Sequence, residues 1–210
     1  KSPSIVGSKL SASNDVTLAA GTDLTINSST VQSSAGGISA IAGRNIALTT
    51  LQERFISNFS GSVGRASSSR QESGANDIGS ALQANGDIRL QAGNDVSARA
   101  ASVSSTIGNL GIRAGNDVSI VAGESRYSLE ESRQSSSSGL LSSSRSFSRD
   151  ALNSNTAVGS TFSGNSVNID AGRNLGVKGS TIVSNNDLTL TAQADVTIEG
   201  ASNSRSTSQV

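Results

Sequence analysis

Apolar and polar positions alternate along this chain in short runs, each opened by a small polar or glycine residue. In the first block the runs are Val16-Thr17-Leu18, Leu24-Thr25-Ile26, Ile38-Ser39-Ala40 and Ile46-Ala47-Leu48, preceded by Asp15, Asp23, Gly37 and Asn45. Those turn residues are spaced 8, 14 and 8 apart, and the spacing repeats at Asp87, Asp95, Asn109 and Asp117. A third block, at Ser166, Asn174, Asp187 and Asp195, gives 8, 13 and 8. Alternation of period two over about five residues predicts a strand with one buried face. A further short segment around Val31, Val103 or Ile182 lies inside each long step, so one unit of about 22 residues holds three strands.

Three strands joined by such tight turns cannot be neighbours in one flat sheet; they form the three sides of a coil. Successive coils then stack, each strand pairing in parallel with its equivalent about 4.8 Å away. The fold class predicted is all-β, a right-handed parallel β-helix, with coil blocks at about 6–49, 78–121 and 158–199. The block starting Val6-Gly7-Ser8-Lys9-Leu10 recurs 72 residues on as Ile78-Gly79-Ser80-Ala81-Leu82, and again from Val158-Gly159-Ser160-Thr161-Phe162. Recurrent Asn14-Asp15, Asn94-Asp95, Gly108-Asn109 and Asn116-Asp117 pairs suit the corners, because Asn and Gly tolerate left-handed backbone and Asx side chains bond nearby amides. Calcium is the competing reading of these carboxylates. It is disfavoured because the corners vary among Asp, Asn, Gly and Ser and lack the glycine-spaced Asp pattern of nonapeptide repeats.

Composition narrows the core. Of 210 residues 34% are apolar, and the aromatic set is Phe55, Phe59, Tyr127, Phe147 and Phe162. The interior must therefore be a regular stack of small aliphatic side chains. The 16 basic and 16 acidic residues cancel, so no overall field favours nucleic acid or an anionic membrane. With no Cys, His, Trp or Met, the usual thiolate and imidazole nucleophiles, bases and metal ligands are missing. No catalytic, cofactor or metal site is expected. No apolar run reaches the roughly 18 residues of a membrane-spanning helix. An opening Lys1 in place of Met suggests a piece of something longer.

Two inserts, about 50–77 and 122–157, interrupt the coil pattern. The second is dense in serine, including Ser135 to Ser138, with balanced charges from Glu124 to Asp150. Low hydrophobicity allows disorder, but Tyr127-Ser128-Leu129 and Arg145-Ser146-Phe147-Ser148 alternate and Gly139 offers a turn. The expectation is an extra-helical β-hairpin or lateral sheet. Gly200 to Arg205 reads as the start of a third insert. Tyr127, Phe147 and Phe162 are expected to pack an insert against the coil, since large apolar groups are scarce. The sharper reading makes Tyr127 and Phe147 a contact surface for a partner.

The run Ser138-Gly139-Leu140-Leu141-Ser142-Ser143-Ser144, then Thr156-Ala157-Val158-Gly159-Ser160, with the beats Ala171-Gly172-Arg173-Asn174-Leu175 and Asn186-Asp187-Leu188-Thr189-Leu190, resembles the haemagglutinin repeats of the filamentous haemagglutinin and CdiA families. These are large exoproteins of bacterial two-partner secretion, and the likeness covers nearly the whole chain. The resemblance implies a filament exported through an outer-membrane transporter and displayed at the cell surface. It further implies a segment that engages the target cell's outer membrane or a surface receptor and helps to deliver a C-terminal toxin, with transfer to the target outer membrane or periplasm. Neither a toxin domain nor a secretion domain is visible in these residues.

Several function classes compete. A β-helical polysaccharide lyase or hydrolase would need clustered carboxylates in a groove, whereas these lie at corners or scatter through the inserts. Carbohydrate binding is disfavoured by the count of aromatic rings. A filamentous adhesin binding host or neighbouring cells is the serious alternative to toxin delivery. An isolated piece of such a stack carries exposed strand edges, so end-to-end self-association is also expected.

Overall fold

A computed structural model describes residues 4–139 and 141–210; Leu140, quoted in the resemblance above, lies outside the described residues, as do residues 1–3. The alternating runs are strands, and three of them make each coil. Coil one is β1 (Lys9–Ala12), β2 (Val16–Ala20) and β3 (Leu24–Asn27), and coil two is β4 (Thr30–Ser33), β5 (Ile38–Ala42) and β6 (Ile46–Thr49). A long hairpin follows, β7 (Leu51–Val63) and β8 (Ala66–Ile78). Coil three is β9 (Ala81–Ala84), β10 (Ile88–Ala92) and β11 (Val96–Arg99), and coil four is β12 (Ser102–Ser105), β13 (Leu110–Ala114) and β14 (Val118–Val121). A second hairpin, β15 (Gly123–Ser138) and β16 (Ser143–Val158), leads to β17 (Thr161–Gly164), β18 (Val167–Ala171) and β19 (Leu175–Lys178), then β20 (Thr181–Ser184), β21 (Leu188–Ala192) and β22 (Val196–Glu199). The last strand, β23 (Ser204–Gln209), falls where a third insert is expected.

Like strands of successive coils pair in parallel, giving three six-stranded sheets around one core: β1-β4-β9-β12-β17-β20, β2-β5-β10-β13-β18-β21 and β22-β19-β14-β11-β6-β3. The fold is a parallel β-helix. Registers such as Val16↔Ile38 and Ile88↔Leu110 put equivalent residues 22 positions apart directly over one another. Inward columns therefore stack like on like, as in Ile38, Ile88, Leu110 and Val167, all buried. Phe162 belongs to this interior at 0% exposure, in the column of Leu82 and Val103. The expectation that it packs an insert against the coil is corrected: it occupies a core position of the repeat, where its ring replaces an aliphatic side chain.

Two devices fix the register at the corners. In the Ala-Gly-x-Asn/Asp beat the glycine runs so close to the coil beneath that a Cβ on Gly172 would lie 1.9 Å from the Gly115 carbonyl oxygen, and one on Gly115 2.0 Å from that of Gly93. The second device is the Asp that opens a strand, at this corner or at the preceding one, whose side chain accepts an amide of the next coil. Asp15 Oδ1 accepts the Gly37 amide at 2.7 Å, Asp87 Oδ1 the Asn109 amide at 2.7 Å, and Asp95 Oδ1 the Asp117 amide at 3.1 Å. Where the beat reads Ala-Gly-Arg-Asn, Arg and Asn both grip the aspartate one coil back. Arg44 and Asn45 hold Asp23, and Arg173 and Asn174 hold Asp117. These contacts pull the carboxyls of Asp23 and Asp117 down to about 2, chiefly through the hydrogen bond from the arginine in each case.

Candidate functional site

The inserts form one structure. β7, β8, β15, β16 and β23 make a five-stranded antiparallel sheet, ordered β23-β16-β15-β8-β7, that leaves the coil sideways. Each hairpin exits after two coils. Two coil spacings equal two strand spacings, about 9.6 Å in both cases, so successive hairpins arrive at the distance at which they can pair. β8 duly pairs with β15, from Asn76↔Ser125 to Ala66↔Ser135, and β16 with β23, from Asp150↔Gln209 to Asn155↔Ser204.

The base of this sheet is tied to the coil by buried polar groups. Asp77, 7% exposed, accepts from Arg99 Nε at 3.1 Å, from Arg99 Nη2 at 2.9 Å and from the Glu124 amide at 3.0 Å. One carboxylate thus joins the returning strand of the first hairpin, a coil strand and the departing strand of the second hairpin. Ser28 Oγ accepts the Leu51 amide and donates to the Ile78 carbonyl, both at 2.5 Å. Ser160 Oγ accepts from the Ala101 amide at 3.0 Å and donates to the Val121 carbonyl at 2.8 Å.

Paired residues in antiparallel strands share a face, so the register sorts the side chains. One face carries Phe55, Phe59, Val63, Glu72, Tyr127, Leu129, Arg133 and Leu152; the other carries Ile56, Arg126, Phe147 and Arg149. Tyr127 and Phe147, the pair read from the sequence as a contact surface, therefore lie on opposite faces and at opposite ends of the hairpin. Tyr127 sits near the base. Its ring approaches that of Phe55 with centroids 6.4 Å apart, across Gly74, where a Cβ would lie 2.1 Å from Phe55 Cε1. Its hydroxyl donates to Glu72 Oε1 at 2.6 Å, and that carboxylate raises the phenol above its ordinary range. Phe147 stands 57% exposed on the opposite face, toward the free end of the hairpin, whereas Tyr127 is half-buried against Phe55 and Glu72 of the same sheet.

Midway up the sheet a belt of charge crosses the strands, with Arg70 3.6 Å from Glu131 and Arg149 3.1 Å from Glu130. Phe59, 64% exposed, stands in the belt's own row opposite Arg70, and beyond it lie Val63 and a trough of about 540 Å³ floored by Gly61 and serines, with Arg133 on its lining. Sequence reasoning did not single out Phe55, Phe59, Gly74, Asp77 or Arg133. A signal existed for the first: the 72-residue step that carries Asp15 to Asp87 also carries Phe55 to Tyr127. Among the described residues no group of three or more acidic side chains converges as metal ligands would, and no helix is long and apolar enough to cross a membrane.

Comparison with known proteins gives one family and one relative. The family model described as Hemagglutinin repeat matches residues 1–62, 59–144 and 141–210. The protein named tRNA nuclease CdiA-2, from Burkholderia pseudomallei (strain 1026b), is 26% identical over 198 residues, which is 93% of this chain and 6% of that protein. The nuclease in that name describes a protein of which the matched stretch is a small part. No solved structure matches the chain.

Proposed function

This chain belongs to the haemagglutinin-repeat family, and on that premise we propose that it is a structural repeat segment of a large secreted exoprotein displayed at the bacterial surface. Its role there is in contact-dependent growth inhibition: it engages the target cell's outer membrane and helps to deliver a C-terminal toxin carried elsewhere in the parent. The observation that carries this reading is the family match along the whole chain together with the likeness to a CdiA protein.

The architecture suits export through a transporter pore. Each coil contacts its immediate neighbours, so a coil emerging from the pore can fold on its predecessor without waiting for distant segments. Hairpins add to the lateral sheet in the same order, since β15 pairs with the preceding β8.

The second reading, a filamentous adhesin, is favoured by the lateral sheet itself, which presents two open faces. In-frame deletion of residues 1–210 from the intact exoprotein, with display, adhesion and target-cell killing scored separately, decides between them. Lost killing with normal display and adhesion supports delivery. Lost adhesion with normal display supports the adhesin, and unchanged killing and adhesion removes both.

A further inference from the structure

We propose that the free edge of β7 is a strand-docking site, and that its occupant is the returning strand of a hairpin from the repeat that precedes coil one in the parent exoprotein. The inference rests on the reading of this chain as a segment of a longer repeat array and is independent of toxin delivery.

The lateral sheet has two edges of opposite character. β23, at one edge, reads Ser204-Arg205-Ser206-Thr207-Ser208-Gln209 and carries no large apolar side chain. β7, at the other, is 13 residues long and holds Leu51, Phe55, Ile56, Phe59 and Val63, between 37% and 85% exposed. Its charges, Glu53 and Arg54, stand only at the base. Edges that end in solvent are ordinarily short or guarded by charge, proline or a bulge, whereas β7 runs against β8 without a bulge from Leu51↔Ile78 to Val63↔Ala66. Gly64 and Arg65 alone close that hairpin, so Val63 and Ala66 exchange hydrogen bonds and the odd-numbered residues of β7 bond to β8. The even-numbered residues from Gln52 to Ser62 therefore turn their N–H and C=O groups to the open side.

Polarity names the occupant. At both joints between hairpins a returning strand takes the next outgoing strand, β8 with β15 and β16 with β23. β7 is an outgoing strand, so its open side calls for a returning one. The path into coil one points the same way. Val6-Gly7-Ser8 stands 72 residues before Ile78-Gly79-Ser80, through which β8 leads into coil three. Gly79 crosses so close that a Cβ would lie 1.7 Å from the Ala100 carbonyl oxygen, and one on Gly7 would lie 1.8 Å from that of Ser28. Ser28 and Ala100 are also the two non-glycine residues with positive φ among the described residues, each at 45°. The chain enters coil one by the path it takes from β8 into coil three.

Space and register agree with that occupant. β7 leaves after coil two, so the flank of coils one and two spans two coil spacings, the about 9.6 Å that the two strands of one hairpin occupy. The 72-residue step carries the pair Asn76↔Ser125 onto Ser4 and Glu53, which sets the register at the base of the joint. In this chain residues 4–8 lie in no strand. A second copy pairing its β7 with this one is the rival occupant. It would join two outgoing strands, a joint found nowhere in the sheet, where every neighbour of an outgoing strand is a returning one.

The test compares hydrogen exchange of β7 in this chain and in the intact exoprotein. The expected result is exchange about tenfold or more slower at the even-numbered β7 residues of the intact protein, with the odd-numbered ones alike in both. Asn58→Pro removes an N–H on the open side, where an edge strand tolerates proline; it should leave the circular dichroism of this chain unchanged and abolish the added protection in the intact protein. The register is tested separately, because this chain has no cysteine and opposed residues that share no hydrogen bond stand about 4.5 Å apart at Cα, within disulfide reach. Mild oxidation of the intact protein should close a bridge within one chain for Ser4→Cys with Glu53→Cys, and none for Ser4→Cys with Ser57→Cys. Equal exchange of β7 in the two proteins, no bridge at Ser4 and Glu53, or bridging only between chains overturns the proposal, the last assigning the edge to a second copy. None of these readouts involves killing, so a failed delivery assay leaves them standing and their failure leaves the delivery reading to its own deletion test.

Discussion

Single residues hold this molecule in register because stacking multiplies any local misfit. Gly115 has the Gly93 carbonyl 2.0 Å from where its Cβ would stand, and itself lies beneath Gly172. A methyl group there must push two coils apart, and Gly115→Ala is expected to lower stability by about 1–3 kcal/mol in urea unfolding. A loss below the measurement error would show that the corner can flex. The last coil, β20 to β22, supplies the comparison, since Gln193 replaces glycine in the beat and its amide reaches the Ala171 carbonyl at 3.3 Å, against 3.0 Å for Gly172 to Ala114. The aspartates set the acid limit. Asp117 is ordinarily at 3.8 and stands at about 2 in the folded chain, held there first by Arg173. Its folded form is favoured above the ordinary value, and that contribution is lost as pH falls through about 2; Asp23 behaves alike with Arg44. Melting temperature should therefore fall between pH 4 and 2, and the fall should be shallower in Asp117→Asn. Parallel profiles for the two proteins would assign the acid loss to other groups.

At the level of elements, the coil and the lateral sheet are held by different means. The coil strands bury an aliphatic column, whereas β7 is exposed along almost its full length and has no core behind it. Its stability rests on ladder hydrogen bonds, cross-strand pairs such as Phe55 with Tyr127, and the tether at its base. Asp77→Ala removes the acceptor shared by Arg99 and the Glu124 amide, and should cost about 1–3 kcal/mol. Hydrogen exchange should show the β8–β15 pairing loosened from the base upward, with β10 and β13 protected as before; uniform loosening of the coil would refute the division. The coil was legible in the sequence because each strand carries its own signature, a corner residue and an apolar-polar-apolar triplet at steps of 8 and 14. The hairpins were legible more faintly, from the alternation around Tyr127 and Phe147 and the turn glycine at Gly139. Their mutual pairing was not legible, since it brings Gly74 beside Tyr127 across two intervening coils, and no local pattern encodes that. Phe162 misled because its size outweighed its place in the repeat, the position of Leu82 and Val103. Asp77 gave no signal, being one carboxylate among many until burial distinguished it.

At the scale of the whole molecule, the lateral sheet exists because two periodicities coincide. A hairpin adds two strands, and the coil advances two turns between hairpins; both measure about 9.6 Å. If three coils separated the hairpins, the gap between β8 and β15 would be one strand too wide, and nothing in the chain would fill it. If one coil separated them, the second hairpin would collide with the first. Coils two and three already pair directly, through β4 with β9, β5 with β10 and β6 with β11, so the coil itself does not need the hairpins. The two systems can thus be uncoupled. Duplicating residues 100–121, which form coil four, in tandem inserts one turn without altering any strand or corner. The expected product keeps the β-helix, with its circular dichroism and the protection of β10 and β13 intact, and loses protection in β8 and β15 along their shared edge. Retained protection at that edge would mean that the sheet is held by its own side chains, and that the spacing of the hairpins is not what assembles it.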